Sequence, residues 1–170
     1  MAAKETIAIA GATGKAGSFI AYKLAACNYR LLLISTDTGK ATKLASDIKV
    51  TTKNAEAEAI DCLKDGCWEA DIIVLAVPAE AERSVAEKIK EVATQKIVVR
   101  LLLAKNNTSF SAKYLDRLPL LLPYSKIVTA FINTVSFRET VITGSDNEAV
   151  ETIVNIAVNA GFNAVTAVEL

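Results

Sequence analysis

Apolar and polar positions follow two alternating rhythms along this chain. Short apolar runs at Thr6–Ala10 (TIAIA), Arg30–Ile34 (RLLLI), Asp71–Val77 (DIIVLAV) and Lys96–Leu103 (KIVVRLLL) predict strands. Such unbroken apolarity means burial on both faces, as in a parallel sheet. Between the runs the period lengthens. Gly17, Ile20, Leu24 and Cys27 fall on one face of a helix over 14–27. Thr38–Ser46 predicts a short helix that Asp37 or Thr38 can cap, and Ala79–Thr94 one that turns Val85, Ile89 and Val92 inward. The stretch 47–70 is ambiguous. Either Ile48–Thr52 or Ala55–Ile60 supplies the third strand, the second being favoured, and an acidic, cysteine-containing turn follows to Ala70.

In the second half, Asn106–Ser109 reads as a polar loop, Ser111–Leu118 as a helix before Pro119, and Lys126–Phe131 and Glu139–Thr143 as strands. Ser145-Asp146-Asn147-Glu148 has the spacing of a capping box. It opens a helix that buries Val150, Ile153, Val154 and Ala157 and stops at Gly161, before a last strand over Asn163–Val168. Parallel strands need crossovers, and helices supply them. The expected fold is therefore α/β, a doubly wound, mainly parallel sheet of Rossmann type with helices on both faces, in one domain spanning 1–170. Four leucines around Pro119, over Leu118–Leu122, read as a buried loop closing the core, with an oligomer contact as the sharper alternative.

Composition narrows the function. In 170 residues, 52% hydrophobic, Lys+Arg and Asp+Glu are equal at 19 each, so no global positive field gathers nucleic acid or an anionic membrane. No apolar run approaches the roughly 18 residues of a membrane span, and no secretory leader pattern opens the chain. A cytoplasmic location is the expectation. There is no histidine, which excludes Ser-His-Asp and Cys-His catalysis. Cys27, Cys62 and Cys67 have no CxxC spacing and read as buried, reduced thiols; no metal site is expected.

The chemistry concentrates at Gly11-Ala12-Thr13-Gly14-Lys15-Ala16-Gly17, directly after strand one and opening a helix. A first helical turn offers unpaired N–H groups and the positive end of the helix dipole to phosphate. A side chain at Gly14 would obstruct a pyrophosphate, and Gly17 lets the helix approach the sheet. Ala12 stands where the first glycine of G-x-G-x-x-G is expected, yet the strand–turn–helix context supports a dinucleotide site. Strand two ends Ile34-Ser35-Thr36, followed by Lys40 and Lys43. An NAD site places a carboxylate there. Hydroxyls and lysines suit a 2′-phosphate, so NADP is favoured over NAD, although Asp37 could address a ribose. Lys43 reads equally well as part of a solvated helix face. Ala76, Val77 and Pro78 end the fourth strand, where small side chains leave room for the cofactor.

GATGKAG after strand one, Ser35 after strand two, EADIIVLAVPAEA (Glu69–Ala81), LPYSKIVTAFINTV (Leu122–Val135) and ITGSDNEAVETIVNIAVNAGF (Ile142–Phe162) together resemble the deazaflavin-dependent NADP oxidoreductases over most of the chain. The resemblance implies hydride transfer between NADP(H) and a deazaflavin, flavin or similar acceptor. It implies that Thr13, Gly14, Lys15 and Ala16 hold the pyrophosphate, Ser35 and Thr36 the 2′-phosphate, and Ala76–Pro78 the nicotinamide side. Asn133 and Thr134 match the family's Asn-Thr after strand six. The chain departs from the family at Thr36, where an arginine is common, and at Arg100–Ala104, where Thr-Asn-Pro is common; Ile132 reads as an insertion. Those leucines keep two alternatives open: a non-catalytic dinucleotide-binding module, and a scaffold, natural or redesigned, without turnover. No catalytic side chain is assigned. Tyr22, Tyr29, Tyr114 and Tyr124 are weak candidates for proton donors, and Arg100 reads as structural. The expected partner is a small-molecule dinucleotide, with a homodimer allowed.

Overall fold

The computed structural model describes residues 4–104 and 117–167. The loop expected over Asn106–Ser109, nearly all of the helix expected over Ser111–Leu118, and Tyr114 lie outside the described residues. The strands are β1 (Thr6–Ala10), β2 (Arg30–Ile34), β3 (Glu56–Ile60), β4 (Ile72–Leu75), β5 (Ile97–Ala104), β6 (Lys126–Asn133), β7 (Glu139–Gly144) and β8 (Asn163–Thr166). They form one sheet in the order β3-β2-β1-β4-β5-β6-β7-β8. The first six are parallel, β7 runs antiparallel to β6, and β8 is parallel to β7. This is the doubly wound, Rossmann-type architecture expected from the alternation.

Alternate residues of each central strand feed two cores. Ile7, Ile9, Leu31, Leu33, Val74 and Val99 face α1 (Lys15–Ala25), α2 (Thr38–Thr51) and α6 (Asn147–Asn159). Ala8, Ala10, Leu32, Ile73, Leu75 and Val98 face α3 (Leu63–Glu69), α4 (Ala79–Ile89) and α5 (Leu118–Leu121). Burial on both faces explains why these strands read as continuous apolar runs. Leu118 and Leu122 are fully buried in the second core, so the leucine-rich stretch closes the core there, while Leu120 projects into solvent.

Several boundaries differ from expectation. The second helix runs on to Thr51, because Ala41, Leu44, Ala45 and Ile48 form one buried face; Ile48–Thr52 is therefore not a strand. The acidic turn before Ala70 is instead the helix α3, whose Gly66 and Cys67 sit against the sheet. A Cβ at Gly66 would come 2.7 Å from Ile34 Cδ1, so α3 approaches the sheet to side-chain contact at this glycine. The fourth helix stops at Ile89 rather than Thr94. Ile132 pairs with Leu103 and is buried within β6. The cap of α6 is Asp146, whose carboxylate accepts from Ala149 N at 2.8 Å, rather than Ser145. Val150, Val154 and Ala157 are half-buried, and Ala149, Ile153 and Ile156 form the buried face. Gly161, at φ +90°, ends that helix as expected, with Phe162 N reaching back to Ala157 O at 2.9 Å.

The thiols are not equally buried. Cys67 is buried, Cys27 half-buried, and Cys62 exposed at the N-cap of α3, contrary to the expectation of three core thiols. Burial pushes the Cys67 thiol up to about 12, with Lys96 pulling the other way. The folded chain thus holds this proton more tightly than the unfolded chain. Its contribution to stability is intact below the ordinary thiol range and is lost as pH climbs from there toward 12. A disulfide reagent at about pH 8 should modify Cys62 rapidly and Cys67 only on unfolding. Equal rates at the two thiols would contradict this burial.

Candidate functional site

The register brings the C-terminal ends of three strands level: Ala10 pairs with Ile34 on one side and Leu75 on the other. The glycine turn rises from this edge. Gly11 and Ala12 both donate their N–H to Ile34 O at 3.0 Å, which ties the turn to β2. Gly11 has φ +81°, and a Cβ there would overlap the Ala76 carbonyl. At Gly17 a Cβ would overlap the Gly11 carbonyl oxygen, so this glycine sets how closely α1 meets the turn. Ala12 is fully buried and belongs to the core beneath α1, which is why a methyl group is tolerated at that glycine position.

Gly14 differs from both. Its backbone is extended, at φ −71° and ψ 171°, and the nearest atom to a Cβ would be Gly11 O at 3.4 Å. Nothing in the fold requires glycine there. No side chain caps α1, a feature it shares with α3, α4 and α5, whereas Asp37 caps α2 and Asp146 caps α6. Among the described residues, the N–H groups of Thr13, Lys15, Ala16 and Gly17 carry no backbone hydrogen bond. A helix start left bare in this way, with open space at Gly14, has the chemistry of an anion cradle.

Thr13 Oγ1 meets Ser35 Oγ at 2.7 Å, joining the turn to the end of β2, and Ser35 Oγ also accepts from Asp37 N at 3.1 Å. Thr36 is exposed beside them. The Asp37 carboxylate accepts from Lys40 N at 3.0 Å and so is held in the cap of α2. Lys40 is exposed and enters no salt bridge among the described residues. Lys43 is bound to Asp47 at 3.0 Å, one turn along the helix, and belongs to the solvated face.

Ala76 N donates to Ala10 O at 2.8 Å, which holds Ala76–Pro78 against the glycine turn, and Pro78 leads into α4. Asn133 ends β6 at the same edge. Its Oδ1 accepts from Val135 N at 2.8 Å and its Nδ2 donates to Glu139 at 3.3 Å, so its amide shapes the β6–β7 turn. Phe137 in that turn was not legible in the sequence. It adopts φ +50°, packs on Phe19 at 5.2 Å between ring centroids, and lies 5.8 Å from Lys15 Nζ. No periodicity announces it. It packs the β6–β7 turn against α1.

Arg100 pairs with Leu75 in the sheet and is 2% exposed. Its guanidinium makes a bidentate pair with Glu82 of α4, one bond being 2.9 Å. It is thus a structural tie between β5 and α4, as expected. Tyr29 and Tyr124 precede β2 and β6, at the opposite edge of the sheet from the turn, and Tyr22 faces outward from α1. Among the described residues no group of His, Cys, Asp or Glu could hold a metal, and no helix is long and apolar enough to cross a membrane.

Sheet order and a bare glycine turn at the switch between β1 and β4 define an NAD(P)-binding oxidoreductase-type domain. Residues 6–103 match the family described as NADP oxidoreductase, coenzyme F420-dependent, and the chain belongs to that family. No curated protein matches it by sequence. Among solved structures it is similar to a pyrroline-5-carboxylate reductase from Coxiella burnetii (TM-score 0.76, 18% identity, covering 98% of this chain and 59% of that one). It is also similar to the Plasmodium falciparum pyrroline carboxylate reductase with NADP bound (TM-score 0.70, 17% identity, 99% and 59%). A protein described as an F420-dependent NADP-reductase, from Arthrobacter sp. FB24, matches with a TM-score of 0.71 and 16% identity over 96% of this chain and 84% of that one. These likenesses are of fold, and the chain spans only 59% of the length of the two pyrroline carboxylate reductases.

Proposed function

We propose that the chain, as one dinucleotide-binding domain, holds NADP(H) across Gly11–Gly17 and serves hydride transfer to or from a deazaflavin, flavin or similar acceptor. The observation that carries this is Gly14: a glycine the fold does not need, at a helix start no side chain caps. The N–H groups of Thr13, Lys15 and Ala16 would meet the pyrophosphate, with Gly14 giving room for its approach. Ser35, Thr36 and Lys40 would meet the 2′-phosphate, and one oxygen of the exposed Asp37 carboxylate is already engaged in the cap of α2. Ala76, Val77 and Pro78 would border the nicotinamide side, with Asn133 at the far end of the same edge. The bound nicotinamide supplies the redox chemistry, and the protein contributes position and orientation.

A calorimetric titration tests this. NADPH should bind with a micromolar Kd and NADH at least about tenfold more weakly, since losing a charged hydrogen-bond partner costs about 1.5 kcal/mol or more. Ser35→Ala, which removes the hydroxyl joined to Thr13, should weaken NADPH about tenfold and NADH much less. Absence of heat with both nucleotides would refute the site. A steady-state assay with NADPH and a deazaflavin or flavin then tests turnover. A second reading, binding without turnover, is favoured by one observation: Leu101–Ala104 continue β5 past the end of β4 where the family is commonly polar.

A further inference from the structure

The two edges of the sheet are built differently. β3 carries Glu56 and Glu58, held by Lys4 at 2.9 Å and Arg30 at 3.2 Å. Charges on an edge strand guard it against pairing with another chain. β8, Asn163-Ala164-Val165-Thr166, has no charged residue, no proline and an exposed outer side. Val165 is 60% exposed. Beside it, Val150, Val154 and Val158 of α6 recur every four residues, and the first two line a groove shared with Thr166 and Ala167. Val158 is 54% exposed. An unguarded strand edge is thus continuous with an apolar helix stripe.

We propose that this surface takes a second copy of the same chain, with the two β8 strands pairing antiparallel about a twofold axis. The charges around the edge select that occupant. Arg138 lies at the Asn163 end, where its carbonyl accepts from Asn163 N at 2.7 Å. Glu151 lines the groove at the Thr166 end. Both are exposed, and neither enters a salt bridge among the described residues. Antiparallel pairing brings Arg138 of each copy to the end that carries Glu151 of the other, so symmetry makes the complementary contact twice. With Asn163 opposite Thr166 and Ala164 opposite Val165, no like charges meet across the strands. The arrangement closes as a dimer. The alternative, β8 on β3 of another copy, would propagate as a filament, and the charged β3 edge opposes it.

Sedimentation velocity on the whole chain tests this, with thermal melts to confirm folding. The unmodified chain should be dimeric at micromolar concentration. Val165→Lys, placing a charge on the edge, should give a folded monomer. Arg138→Glu should weaken the dimer about tenfold, with a larger effect at low salt. The exchanged pair Arg138→Glu with Glu151→Arg should restore it. A monomer at all concentrations overturns the proposal. So does a dimer indifferent to Val165→Lys, or one that the charge exchange fails to rescue.

Discussion

Gly14→Asp should abolish NADPH binding and leave the fold at least as stable as before. The new Cβ has only Gly11 O nearby, at 3.4 Å, and the backbone at φ −71° suits any residue. An aspartate there can cap α1, as Asp37 and Asp146 cap their helices, and should stabilise the fold by a few tenths of a kcal/mol over glycine. The same carboxylate fills the open approach and sets negative charge against a diphosphate. Affinity should fall at least about 100-fold, or some 2.7 kcal/mol. Calorimetry and a thermal melt on one preparation read both effects, and retained binding would remove Gly14 from the site. Gly17→Ala makes the contrast: its methyl would overlap the Gly11 carbonyl oxygen, so binding and stability should fall together.

Glu82→Ala should destabilise the fold by about 3 kcal/mol, which at this chain length lowers Tm by roughly 10 °C. It removes both charge-assisted hydrogen bonds that Glu82 makes to a guanidinium that is 2% exposed, and breaking a buried ion pair at one end is costly. Replacing both partners with apolar residues, Arg100→Met with Glu82→Leu, should recover most of the loss, because the pair itself adds little beyond offsetting its own desolvation. A Tm unchanged in Glu82→Ala would show that the ion pair does not secure α4 to β5.

The central strands were legible because burial on both faces writes itself as continuous apolar sequence: β1 and β2 have the predicted limits. The third helix was not, since its seven residues bury only Gly66 and Cys67, too short a face to show a period. Asp47 and Lys49, flanking Ile48, made the end of α2 look polar, although Ile48 completes the buried face. The pairing of Ile132 with Leu103 could not be read either, since local pattern does not reveal a strand's partner. In the candidate site, the placement of the glycine turn after β1 and of Ser35 after β2 could be read from residue type and position. The link from Thr13 to Ser35, the engagement of Asp37 as a cap, and Phe137 under Lys15 arise from tertiary placement. Arg100 announced itself as a charge inside a strand, but Glu82 lies 18 residues away on a helix, so the need for a counterion was visible and its identity was not.

The strand that carries the glycine turn is flanked by β2 and β4, with further strands beyond each. Its amides are bonded alternately to the two neighbours, and neither neighbour lies at a margin of the sheet, so it belongs to the last part of the molecule to open. The glycine turn that leaves this strand therefore inherits the stiffness of the sheet's interior. Whatever breathing the molecule allows is left to its margins, and little ordering entropy remains to be spent when a ligand arrives.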